Sequence, residues 1–199
     1  MATLCVMPRP ARHSPWQALF RLAAAQEGLF SARQATSVGC SQQLLARYAS
    51  SGRIERVQRA LYRIVDFPPG EHEDLIAIWL WSRNEGVFSH ETALFLHDLS
   101  EVLPVRAHLT LPSSWTTRKI EVPQGVAIYH DDVTDSDRTW VGPLPVTAVR
   151  RTLSDCLHAS VAPEQIAQAS VQAAERGLIT AAEILSAPSV GLWRMRLHP

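Results

Sequence analysis

The sequence predicts an α+β protein built as two modules: an N-terminal winged helix-turn-helix and a mixed α/β C-terminal domain. Three observations lead there. The first 65 or so positions read as three short capped helices followed by two β-type runs. Phe67-Pro68-Pro69-Gly70 then breaks any regular element. Charge divides at the same place. The whole chain of 199 residues is formally neutral, with 19 basic and 19 acidic side chains. Residues 1–63 carry nine arginines against Glu27 and Glu55, a net of 9 − 2 = +7, so the remainder, 10 − 17, is −7. Such asymmetry between halves points to an anionic partner, nucleic acid above all, for the basic half.

The expected organisation is a disordered leader (1–13), a winged helix-turn-helix (14–66), an α+β domain (71–186) and a tail (187–199). In the first module, Pro15 to Ala25 places Trp16, Leu19, Phe20 and Ala23 on one helical face, with Ser14 as N-cap and Pro15 as first helical residue. Gly28-Leu29-Phe30 is a short extended piece. Ser31 caps a second helix over Ala32 to Ser37, and Val38-Gly39 stops it. Ser41 caps a third helix that runs to about Ser50. This order is that of a helix-turn-helix.

The third helix is two-faced. Leu44, Leu45, Tyr48 and Ala49 form an apolar side, whereas Gln42, Gln43, Ala46 and Arg47 form a polar one. Glutamine pairs bidentately with adenine and arginine with guanine in the major groove, and alanine allows close approach. Ile54 to Gln58 and Leu61 to Val65 are β-type runs joined at Arg59-Ala60, a hairpin with basic residues around its tip. A hairpin directly after a recognition helix is a wing. The candidate DNA-binding residues are therefore Ser31 and Arg33 at the second helix N-terminus, Ser41, Gln42, Gln43 and Arg47 on the third helix, and Arg56, Gln58, Arg59 and Arg63 on the wing.

These residues also carry a family resemblance. Gly28-Leu29-Phe30-Ser31, Gln34-Ala35, Val38-Gly39-Cys40-Ser41, Leu45, Tyr48, Gly52-Arg53-Ile54, Arg56-Val57 and Leu61-Tyr62-Arg63 resemble the N-terminal winged helix of the AbiEi antitoxins of type IV toxin–antitoxin systems. The departure is Ala60, where the family usually has glycine at the wing turn. A positive φ there costs alanine about 1 kcal/mol.

From Glu71 the pattern predicts helices at about 71–84, 90–97, 147–157 and 163–175. Thr147 is the cap and Pro163 the first residue of the last two. Extended segments are expected at 105–111, 119–122, 126–129, 139–141 and 144–146. Thr180-Ala181-Ala182-Glu183 reads as a capping box. Phe88-Ser89-His90-Glu91-Thr92-Ala93-Leu94, Leu109-Thr110-Leu111-Pro112, Leu144-Pro145-Val146-Thr147, Arg151-Thr152-Leu153-Ser154-Asp155 and Ala173 to Ile179 look like the C-terminal domain of the same family. The resemblance thus spans roughly residues 16 to 185. It implies an N-terminal domain that binds the promoter of its own operon, and a C-terminal domain needed to counteract a cognate nucleotidyltransferase-like toxin.

Catalytic patterns are weak. His90-Glu91 with His97 lacks the i, i+4 histidine pair of a zinc-protease helix. Asp131, Asp132, Asp135 and Asp137 lack the glycine and distal glutamate of a calcium loop, and read as a solvated turn or as a patch for a basic partner. Lys119 precedes Glu121, the reverse of a nuclease acid–lysine order, and neither a Gly-Ser dipeptide nor a phosphate-binding loop occurs. Arg151 and Asp155 are spaced for an ion pair. Cys5, Cys40 and Cys156 fit neither a disulfide framework nor a zinc finger. No apolar run approaches the roughly 18 residues of a membrane span. The expectation is a cytoplasmic, non-enzymatic antitoxin and autoregulator without a cofactor, bound as two copies to an inverted repeat and paired with a toxin. The alternative is a protein–protein module that docks through the winged helix and the acidic half.

Overall fold

The computed structural model describes residues 14–101, 103–159 and 161–180. The expected leader and tail, Cys5 and the end of the capping box at Glu183 lie outside these residues. The fold is α+β, and the chain divides after Glu73 into two compact units.

The first unit contains α1 (Pro15–Ala24), β1 (Leu29–Ser31), α2 (Ala32–Ser37), α3 (Gln42–Ser50), β2 (Ile54–Gln58) and β3 (Leu61–Ile64). Its helices start where local chemistry satisfies their first amides. Ser14 and Gln17 form a reciprocal capping box on α1, as Ser31 and Gln34 do on α2. Ser41 Oγ accepts the Leu44 amide at the head of α3. Gly39, in the turn before α3, has φ +87°, a conformation cheap only for glycine.

The three strands form an antiparallel sheet in the order β1-β3-β2. One core serves the whole unit. Leu19 and Ala23 from α1, Phe30 from β1, Ala35 from α2, Leu45 and Tyr48 from α3, Ile54 from β2 and Ile64 from β3 pack together around Cys40. Every element supplies at least one side chain, so no element can leave without opening this core. Phe20, expected on the buried face of α1, is 42% exposed. Its ring packs edge-on to Phe67 at 6.4 Å.

α4 (Glu73–Trp81) starts on the last residue of the first unit, and the second unit continues with β4 (Val87–Phe88), α5 (His90–Leu96), β5 (Ala107–Leu111), β6 (Val126–His130), β7 (Arg138–Val141), β8 (Leu144–Thr147), α6 (Val149–His158) and α7 (Pro163–Glu175). Its mixed sheet runs β6-β5-β4-β8-β7. Leu94, Val149, Leu153, Cys156, Ile166, Ala169 and Ala173 join α5, α6 and α7 in a second core. Both described cysteines are unpaired and buried. Burial raises the Cys40 thiol pKa and, with nearby Asp155 and Glu91, pushes that of Cys156 up to about 12. Both behave as small apolar side chains.

Four expectations for this unit are corrected. The first helix ends at Trp81, before 84, because Arg83 and Asn84 turn left-handed with φ of 59° and 66°. Residues 119–122 form no strand; Lys119, Glu121 and Val122 are exposed and unpaired with the sheet. Thr147 does not cap α6. It ends β8, and its hydroxyl is 2.7 Å from that of Thr152, which leaves Ala148 as an N-cap without a side-chain bond. The acidic loop is not simply solvated. Asp131 and Asp137 pair with Arg151, Asp137 also with Arg150, and Asp135 with Arg138. Asp132 accepts the Ser113 amide. Among the described residues no helix is long and apolar enough to cross a membrane.

Candidate nucleic-acid interface

The polar side of α3 faces solvent as its sequence period requires. Leu45 and Tyr48 are buried, Leu44 is half-buried, and Gln42, Gln43, Ala46 and Arg47 are all exposed. No hydrogen bond or ion pair within the described residues occupies the side chains of Gln42, Gln43 or Arg47. They form a face of donors and acceptors with its binding capacity unspent. Ala49, expected on the apolar side, is also exposed. Ser41 is exposed, but its hydroxyl is committed to the helix cap.

The α2 end does not offer the phosphate site expected of it. Ser31 Oγ accepts the Gln34 amide, and the Ser31 amide donates to Gln34 Oε1 at 2.9 Å. The Ala32 amide donates to Ala60 O of the wing turn at 2.9 Å. The first amides of α2 are thus largely consumed by its own cap and by the wing. Arg33, one residue further, is exposed and unpaired among the described residues.

The wing forms where the sequence placed it, with two features that reorganise its charges. Register sets the first. Arg56 lies opposite Tyr62, and Arg63 lies opposite Glu55, so Arg56 and Arg63 point to opposite faces of the sheet. Arg63 is also spoken for: its guanidinium bonds Glu73 Oε2 at 2.9 Å and Phe67 O at 3.3 Å. Glu73 Oε1 accepts the Gly70 amide as well. Arg63 thus closes the segment after the wing and is not part of a basic tip. The second feature is a bulge between Arg56 and Gln58, which leaves Val57 52% exposed. Arg56, Gln58 and Arg59 remain exposed around the turn.

Ala60 occupies the left-handed region with φ 61°. The strain anticipated for a non-glycine residue here is present. Ala60→Gly is expected to stabilise the unit by about 0.5 kcal/mol, the left-handed penalty of alanine being larger than the entropy glycine loses. Thermal unfolding of the two proteins checks this; a lower midpoint for the glycine variant contradicts it.

One cation escaped the sequence reading of individual sites. Arg53 follows α3, and its guanidinium lies 5.1 Å from the Trp16 ring centroid and 6.0 Å from that of Tyr48. The two rings meet edge-on at 4.9 Å. The aromatic support holds an exposed charge in place without neutralising it.

Part of this unit is similar to a known protein family. Residues 17–65 match the family described as transcriptional regulator, AbiEi antitoxin. The matched segment runs from α1 to the residue after β3, which is the helix-turn-helix with its wing. The segment similar to this family includes the α3 face and the wing, and it ends before the Pro-Pro-Gly seam. No curated protein sequence matches the chain. A solved structure, that of the RV2827C protein from Mycobacterium tuberculosis, superposes with a TM-score of 0.41 at 14% identity over 74% of this chain. This chain covers 60% of that one.

Proposed function

We propose that the protein is a DNA-binding autoregulator and antitoxin of a type IV toxin–antitoxin system, acting in the cytoplasm. The observation that carries this reading is the α3 face: two glutamines and an arginine, exposed, unpaired among the described residues and followed directly by a basic wing. α3 enters the major groove, where Gln42, Gln43 and Arg47 read base edges. Arg33, Arg53, Arg56 and Arg59 meet phosphates on either side, and Gln58 approaches the backbone at the wing tip. Two copies bind an inverted repeat in the promoter of their own operon. The C-terminal domain (71–186) counteracts a nucleotidyltransferase-like toxin. The AbiEi match over the first unit supports the regulatory part of this reading.

Salt dependence tests the interface. Four arginine–phosphate contacts per copy give a slope of about −3.6 in log affinity against log salt on duplex DNA. Binding followed by fluorescence anisotropy at increasing salt measures it. A flat response overturns the proposal, as does a protein that ignores DNA at low salt yet captures the product of a neighbouring gene.

A further inference from the structure

The second unit contains a cleft of about 400 Å³ that the DNA-binding reading leaves unused. It lies against α6 and the end of β6, and His90, Tyr129, Asp131, Arg151, Ser154 and Asp155 are among its walls. Several observations set it apart from an ordinary surface hollow. His90, only 6% exposed, is held at φ 53°, in the left-handed region, at the start of α5. Strain of this kind in a non-glycine residue clusters at ligand sites. Its ring stacks on that of Tyr129, with centroids 3.7 Å apart, and its Nδ1 lies 2.9 Å from Ser89 Oγ. Burial, with smaller effects from His108 and Arg151, lowers the His90 pKa to about 4. This aromatic wall is therefore uncharged at neutral pH.

Another part of the lining is ionic and unbalanced. Two carboxylates, Asp131 and Asp155, face one guanidinium, Arg151. That guanidinium is already surrounded by carboxylates. Its Nε bonds Asp155 Oδ1 at 2.7 Å, one terminal nitrogen bonds Asp131, and the other lies 3.9 Å from Asp137. Asp155 Oδ2 is buried and has no hydrogen-bond partner among the described residues. A buried acceptor without a donor is costly, and a ligand donor relieves it.

We propose that this cleft binds a guanidinium or ammonium group, presented by a free amine or by an arginine or lysine side chain of a partner protein. The cation sits between the Tyr129–His90 wall and the Asp131–Asp155 pair. It supplies the donor that Asp155 Oδ2 lacks and restores the charge balance of the cleft.

The test uses the full chain and follows the His90 and Tyr129 ring signals by NMR. Agmatine, the tripeptide Gly-Arg-Gly and inorganic phosphate are titrated separately at constant ionic strength. The expected result is a saturable shift with agmatine or the tripeptide and none with phosphate. Asp155→Asn is expected to weaken cation binding by roughly tenfold or more, the loss of one charge-assisted bond. Ser154→Trp, which fills the cleft and leaves Asp131, Arg151 and Asp155 unsubstituted, abolishes binding and carries the test if Asp155→Asn does not fold. Tighter binding of the tripeptide identifies a protein side chain as the source, and tighter binding of agmatine identifies a free amine. A saturable response to phosphate alone, no saturable response to either cation, or unchanged cation binding in Ser154→Trp overturns the proposal.

Discussion

Gln43→Ala combined with Arg47→Ala is expected to weaken binding to the protein's own upstream duplex by roughly two orders of magnitude. Each bidentate base contact contributes about 1–3 kcal/mol of discrimination, and neighbours on one helix face add incompletely. Both side chains are exposed and, among the described residues, unpaired, so their removal leaves the buried Leu45 and Tyr48 in place. The unfolding midpoint should therefore stay close to wild type while affinity falls. Binding to an unrelated duplex should fall far less, because the wing arginines and Arg33, the proposed phosphate contacts, are unchanged. Anisotropy titrations of both proteins against both duplexes measure this. Equal losses on the two duplexes indicate that α3 contributes charge and not base reading.

Phe30→Ala is expected to cost the first unit about 3–5 kcal/mol, the usual range for emptying a buried aromatic site. Phe30 is fully buried, sits on the short strand β1, and stacks on Tyr62 with centroids 5.8 Å apart. It joins α1, α2, α3 and the wing in one core. A unit of this size has little stability to spare, since small domains bury a modest fraction of their surface. The variant should lose amide-exchange protection in β3 and, with it, DNA binding. Protection and binding equal to wild type would mean that the sheet does not depend on this core.

How much of this was legible depended on the range of the interaction. Ser14, Ser31 and Ser41 could be read as caps because a cap hydroxyl and the amide that donates to it lie three residues apart. The wing could be read because a two-residue turn between β-type runs is also local. Arg63 could not. A period-two strand pattern assigns faces only once a register is known, and the partner Glu73 lies beyond the Pro-Pro-Gly break. Arg53 counted as charge, yet only folding brings Trp16 beneath it. The acidic loop failed for the same reason, since Arg151 reaches Asp131 from a different element. Nothing in the sequence marks His90 as left-handed, so the cleft it lines was invisible there. Of the resemblance over residues 16 to 185, the family model matches residues 17–65, within the first unit.

The proposed role of α3 is to read DNA sequence. The most direct test is the affinity of the wild-type protein for the duplex upstream of its own gene, set against a shuffled duplex of equal length and composition at the same salt. Binding to its own duplex is expected to be tighter by roughly 10³-fold or more. Equal affinity for the two duplexes would contradict it.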